Sequence, residues 1–371
     1  MVRRLPVGLL LVLIAVPSAV EARDWTIVVV DAPKYTTVGQ YTSIALDAAG
    51  RPHISYMDVT HSDLKHAFYD GASWSTEIVD AFTAGRYTSL ALYGADRAAI
   101  SYYDHAFKDL QYAVYDGSAW SVEVVDGAGD VGEYTSLAMD AAGRPHISYF
   151  DETNRDLKYA VHDGGSWSLQ TVDSAGYVGK FTSLALNDAG LPRVSYWDQI
   201  NGDLKYAAYD GTAWSTQTVD SEGVVGANSS MALDDAGHPH ITYYDGTDED
   251  LKYAVHDGTA WSIETVDSAG NVGWFASLAL DEEGLARISY HDADNEDLKY
   301  AAEDAFGWRL ETVDDGLFGG EDTSLVLDAN GYPHISYYRQ DQLRYATIPE
   351  PATLALLGMS GLGILIRRRR P

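Results

Sequence analysis

The chain has 371 residues, 46% of them hydrophobic, no cysteine, and a formal charge of −30 set by 55 Asp and Glu against 25 Lys and Arg. That length and apolar content support a large core and exclude general disorder. The acidity argues against recognition of a phosphate backbone, so no nucleic-acid partner is expected, and the lack of thiols excludes disulfides, thiolate metal sites and a cysteine nucleophile.

The chain opens with MVRRLPVGLLLVLIAVPSAVEA. Arg3 and Arg4 precede an apolar run from Leu5 to about Val16, and Val20 and Ala22 are small residues at cleavage spacing, so residues 1–22 are expected to be a secretory signal peptide. Pro6, Pro17 and Glu21 crowd the run too closely for the ~20 apolar residues of a spanning helix. The strand-like run Trp25-Thr26-Ile27-Val28-Val29-Val30-Asp31 follows, standing alone.

Seven similar units come next, starting at Tyr41, Tyr87, Tyr134, Phe181, Asn228, Phe275 and Asp322, a spacing of 46 once and then 47 five times. Each reads approximately YTSLALDAAGRPHISYYDxxxxDLKYAVxDGxxWSxxTVDSAGxVG and contains four short runs rich in Tyr, Val, Ile, Leu and Trp between turn signals. In the third unit the strands are expected at about Thr135 to Met139, His146 to Phe150, Leu157 to His162 and Trp167 to Val172. Four strands per unit at this period give an all-β fold, a seven-bladed β-propeller with antiparallel blades. The seventh unit stops after its third strand, at LRYATIPEP, and the lone run at 25–31 matches the missing WSxxTVD strand. The N-terminal strand is therefore expected to complete the C-terminal blade and close the ring, giving a propeller over 23–348; an open β-solenoid would not explain why the two fragments sum to one blade.

Residues that recur from unit to unit are read as scaffold, including a slot filled by His53, Ala99, His146, Arg193, His240, Arg287 and His334. Trp25, Trp74, Trp120, Trp167, Trp214, Trp261 and Trp308 share one position and should pack the core or the blade interfaces. Ser55, Ser101, Ser148, Ser195, Thr242, Ser289 and Ser336 put a hydroxyl at another, where a nucleophile would need a single activated copy. His53, His146, His240 and His334 share a third, but equivalent positions on facing sheets lie ~10 Å apart and should not converge on a metal.

The loops between second and third strands run from one Asp to another, as in DETNRD and DGTDED, and should share a face of the disc with the connections between blades. On this acidic face Asp58, Asp104, Asp151, Asp198, Asp245 and Asp292 resemble a cation ring, which Arg339 breaks. Carboxylates ~10 Å apart in water repel by only about 0.4 kcal/mol, so they coexist without a metal, and an Asp that bonds its own turn accounts for them. No metal site is expected; the segments Asp245 to Asp250 and Asp292 to Asp297 are the best places for Ca2+, although neither has a full calcium-loop pattern.

Function has room where the copies differ. Trp197 and Trp274 replace smaller or less aromatic residues of the other units and map toward the acidic face. Exposed aromatics beside carboxylates stack on sugar rings and bond their hydroxyls, which makes Asp151, Trp197, Asp198, Asp245, Trp274 and Asp292 the candidate glycan contacts. The alternative, a propeller glycosidase or polysaccharide lyase, needs a unique constellation of carboxylates or of tyrosine and histidine. His66, His105 and His291 are the asymmetric candidates for it, in three different blades, and no catalytic residue is assigned. The Asp-box SxDxGxTW of sialidase propellers is absent; DGGSWS at 163–168 departs from it.

The chain ends in PEPATLALLGMSGLGILIRRRRP. Ala352 to Ile366 is an uncharged stretch long enough for a short membrane anchor of roughly 22 Å, and Arg367 to Arg370 would hold the terminus in the cytoplasm. Pro349-Glu350-Pro351, an apolar helix and an arginine cluster, in that order, resemble the PEP-CTERM sorting signal of Gram-negative bacteria. The resemblance covers 349–371 and implies an exosortase as partner, transient insertion of the tail in the inner membrane, and a place at the cell surface or in an extracellular matrix near secreted polysaccharide. The expected protein is a monomeric, exported binding or structural propeller.

Overall fold

In the computed structural model, residues 24–349 are described apart from 83, 84, 95, 96 and 317. The expected signal peptide at 1–22, the apolar tail, and Glu350 and Pro351 of the sorting motif lie outside the described residues. Among the described residues there is no helix long and apolar enough to cross a membrane.

Among the described residues, twenty-eight strands form seven antiparallel four-stranded sheets. The first blade is β2 (Val38–Leu46), β3 (Pro52–Asp58), β4 (Asp63–Tyr69) and β5 (Trp74–Asp80), paired in that order. The pattern repeats through β25 (Gly307–Asp314), and the last blade is β26 (Gly319–Leu327), β27 (Pro333–Arg339) and β28 (Gln342–Thr347) with β1 (Thr26–Asp31) as its outer strand. β1 runs antiparallel to β28, Thr26 opposite Thr347 and Val28 opposite Tyr345, so the ring closes as the two fragments imply.

First strands of neighbouring blades touch one another, β2 with β26 for example, and therefore surround the axis. The fourth strands form the rim, where most residues are exposed or half-buried and only the last two are buried. The core lies between blades rather than within them. Leu157, Tyr159 and Val172 of the third blade pack against Val178, Leu184, Val194, Tyr196 and Ala207 of the fourth, and six further clusters repeat the scheme around the ring. At roughly 2–3 kcal/mol for each large side chain, these seams are what hold the blades together.

Two local features bring the blades close at the axis. Gly179 has φ +109, and a Cβ there would lie 2.7 Å from the Leu157 Cα of the preceding blade, so the recurrent Val-Gly is required where the first strand crosses its neighbour. Two residues later Phe181 has φ +53, and Tyr41, Tyr87, Tyr134, Asn228, Phe275 and Asp322 repeat this at φ +50 to +55. The pairing register shifts around each, as between Lys180 and Ser183, which makes a bulge. For Tyr and Phe such a backbone costs about 1–2 kcal/mol each, yet the fold keeps it in every blade. Five aromatic rings, an amide and a carboxylate are thereby turned toward the axis.

Candidate site at the channel mouth

Most of the residues with reactive side chains are committed to the seams. Tyr196 Oη donates to Asp173 Oδ2 at 2.7 Å and Lys205 Nζ donates to the same oxygen at 2.5 Å; the Asp ends the fourth strand of the blade before. Asp126 receives Tyr149 and Lys158 in the same way, and Asp267 receives Tyr290 and Lys299. Burial acts to raise these three carboxyls, but the lysine and the tyrosine outweigh it and hold them below the usual value. The recurrent hydroxyls also cross seams: Ser55 bonds Thr88 at 2.7 Å and Ser195 bonds Ser229 at 2.9 Å. Where the sixth blade has Ala276 at the receiving position, the fifth blade carries Thr242, which donates to the Lys252 carbonyl instead. Each recurrent tryptophan meets an aromatic ring of the previous blade edge-on, as Trp214 does Tyr159 at 5.3 Å.

The histidines do not converge across blades. His146, His240 and His334 each bond a tyrosine of their own blade, Tyr159, Tyr253 and Tyr345. In the first blade His66 replaces that tyrosine, linking His53 at 3.1 Å to Glu77 at 3.0 Å. His105 lies in the second blade's loop, and His291 reaches the axis beside Phe275, with ring centroids 6.2 Å apart.

The four candidate aspartates sit beneath their loops. Asp151, Asp198 and Asp292 each accept the amide and the side-chain Nδ2 of an Asn three residues on, at 2.8 to 3.1 Å. Asp245 accepts the amides of Thr247 and Asp248 and pairs with Lys252 at 2.8 Å. All four are at most 3% exposed. Each carboxylate shapes its own turn, and at the two Ca2+ candidates the Lys252 and Lys299 ammonium groups lie on the same carboxylates. Among the described residues no three His, Asp or Glu gather as a metal group would need.

Trp197 and Trp274 are half-buried and both border the axis. The Trp197 ring lies 5.9 Å from Phe181, and Trp274 lies 4.5 Å from Tyr244 and 6.4 Å from Phe275, with Nε1 donating to Asn271 at 2.7 Å. The two belong to the fourth and sixth blades. Between them the fifth blade offers Ala227 where other blades have Gln40, Arg86, Glu133, Lys180, Trp274 or Glu321, and Asn228 where others have an aromatic ring or Asp322. The small Ala227, opposite Tyr244, marks this sector, called the notch below, and three buried nitrogens in it have no partner: Trp197 Nε1, Asn228 Nδ2 and His291 Nδ1.

Inside the mouth is a channel of about 190 Å³ lined by Tyr41, Tyr87, Tyr134, Phe181, Asn228, Phe275 and Asp322 and by the residue that follows each. Consecutive rings touch in series, at 4.9 Å for Tyr41 and Tyr87, 4.4 Å for Tyr87 and Tyr134, and 4.6 Å for Tyr134 and Phe181. Burial, with Glu321 adjacent, lifts the Asp322 carboxyl to about 7, although the Tyr41 amide donates to it. This collar is the part of the site that reading the sequence missed. Its signal was the first position of each unit, Tyr, Tyr, Tyr, Phe, Asn, Phe and Asp, aromatic in five units and polar in the other two.

Residues 347–370 match the PEP-CTERM protein-sorting motif. The chain carries a PEP-CTERM sorting signal. The signal implies processing by an exosortase, export across the inner membrane and a cell-surface or extracellular location in a Gram-negative bacterium. No curated protein matches the chain in sequence. Among solved structures this chain is similar to an ulvan lyase of polysaccharide lyase family PL25, with 14% identity over 84% of this chain and 93% of that one and a TM-score of 0.58. It is also similar to YCF48 bound to D1 peptide, at 12% identity over 90% and 100% of the two chains and a TM-score of 0.56. A third similar structure is the Hadza microbial sialidase Hz136, at 10% identity over 83% and 74% and a TM-score of 0.50. At these identities the likeness is one of fold, a propeller shared by proteins of different activity.

Proposed function

We propose that this exported propeller is a binding module of the cell surface or extracellular matrix that holds secreted polysaccharide on its acidic face. The observation that carries the reading is the notch: two tryptophans and three unpartnered buried nitrogens, peculiar to blades four to six, gathered at one channel mouth. A sugar ring stacks on an indole face, and its hydroxyls accept from nitrogens that otherwise lack a partner. Asp198 and Asp245 serve the site by fixing the loops that frame it, and Asp151 and Asp292 extend the same frame to blades three and six.

The placement of the chain ends supports this orientation. Thr26, at the start of β1, and Pro349, two residues past β28, line one groove with the loops Ala48–Gly50, Ala72–Ser73 and Asp328–Asn330, on the face opposite the notch. A tail held in the membrane would turn that face inward and the notch outward. A lyase or glycosidase reading gains nothing from the histidine–tyrosine pairs, which recur in three blades. A glycan array probed with the full chain, with and without calcium, tests the proposal. Binding to a restricted set of polysaccharides, lost in W197A/W274A, is expected; uniform lack of binding would leave a purely structural role.

A further inference from the structure

The collar inside the notch has a chemical character of its own. Its wall is made of three tyrosines, two phenylalanines, one carboxylate and one amide, and no lysine or arginine lines the cavity. The hydroxyls of the next layer are already engaged across the seams: Thr88 donates to the Tyr41 carbonyl, Thr42 to that of Asp322, and Ser229 to that of Phe181. What remains for a ligand is aromatic surface, the Asp322 carboxylate in the seventh blade and the unpartnered Nδ2 of Asn228 in the fifth. A ring of aromatics with one carboxylate attracts a cation by charge and by the quadrupoles of the rings, and repels an anion. A free metal ion would find a single carboxylate and no converging second ligand. The volume of about 190 Å³ admits one small head group and not a polymer strand.

We propose that the collar binds the ammonium group of an amino sugar, with the ammonium against Asp322 and the aromatic wall and a ring hydroxyl accepting from Asn228 Nδ2. The inference deepens the polysaccharide reading and rests on it for the biological source: the sugar is either the end or a pendant residue of a polymer lying in the notch, or a free amine. The overall acidity of the chain, −30, draws such a cation toward the face and disfavours uronate polymers.

Calorimetry on the full chain in detergent near neutral pH, low enough to keep the glucosamine amine largely protonated, tests the collar with glucosamine, N-acetylglucosamine and tetramethylammonium. Glucosamine should bind at least tenfold more tightly than its neutral N-acetyl form. Asp322→Asn should weaken glucosamine at least tenfold, and Phe181→Leu should weaken it several-fold. Tetramethylammonium binding as tightly as glucosamine would assign the collar to a free amine. Equal binding of the two sugars, an unchanged D322N, or no binding of either cation would overturn the proposal. Polymer binding that survives such a result would leave the notch reading intact, and polymer binding lost while glucosamine still binds would remove the notch alone.

Discussion

Asp173 accepts from a tyrosine and a lysine of the next blade at once, and the same three-residue clamp recurs around the ring with instructive exceptions. Tyr196→Phe removes one bond to a charged acceptor and should cost about 1–2 kcal/mol in urea unfolding. Asp173→Ala leaves both Tyr196 and Lys205 without their partner in a seam and should cost about 3 kcal/mol. The second blade has Gln111 at the lysine position, so Asp80 receives only Tyr102 from that blade. Gln111→Lys should therefore stabilise by about 1 kcal/mol and raise the Tm by about 2 °C, since the other blades already accommodate the lysine. The two kinds of buried Asp respond to pH with opposite sign. Asp126, Asp173 and Asp267 are held below their ordinary value of 3.8, so what they contribute is complete above it and is lost as pH falls through their folded values. Asp322 is raised from 3.8 to about 7, so the folded state binds the extra proton in that interval and stability declines as pH rises across it, on the order of 2–4 kcal/mol. Unfolding measured at pH 5 and pH 8 should show wild type losing stability relative to Asp322→Asn; parallel profiles would contradict the burial argument. The sequence shows that Lys158 and Lys205 recur, but their partners lie 32 residues away in the preceding unit, and a repeat pattern does not say which copies touch. Trp197 and Trp274 were legible because they break the pattern. The collar was not, since its convergence depends on the bulge that turns position 41 and its equivalents inward, and alternation alone does not reveal a bulge.

At the scale of the strand, β1 brings the first and last strands of the described chain together in one sheet. It supplies the outer ladder of the last blade, and its Asp31 also receives Tyr56 and Lys65 of the first blade. Deleting residues 24–31 should expose the edge of β28, break that clamp, and reduce stability on the order of 5 kcal/mol, with self-association in size-exclusion chromatography. A peptide of residues 24–31 added in trans should restore part of the loss by strand addition; a deleted chain that stays monomeric with an unchanged Tm would contradict this role. The closure was readable because the fragment at 25–31 and the short seventh unit are complementary in pattern. Strand limits were less so: the first strand of the third blade begins at Val131 rather than about Thr135, because pairing continues through the register shifts at Glu133 while the apolar alternation breaks there.

For the whole molecule, closure makes a disc with two unlike faces. One carries Thr26 and Pro349; the other carries the notch, the collar and the Asp-framed loops. A ring of near-identical blades cannot place a ligand off its axis without breaking symmetry, and blades four to six are where the mouth breaks it. The most direct measurement is cosedimentation of the full chain with the extracellular polysaccharide of the producing bacterium, comparing wild type with W197A/W274A at matched thermal stability. The account predicts saturable binding by wild type and at least a tenfold loss in the double variant. Equal binding by the two proteins, or none by wild type, would contradict it.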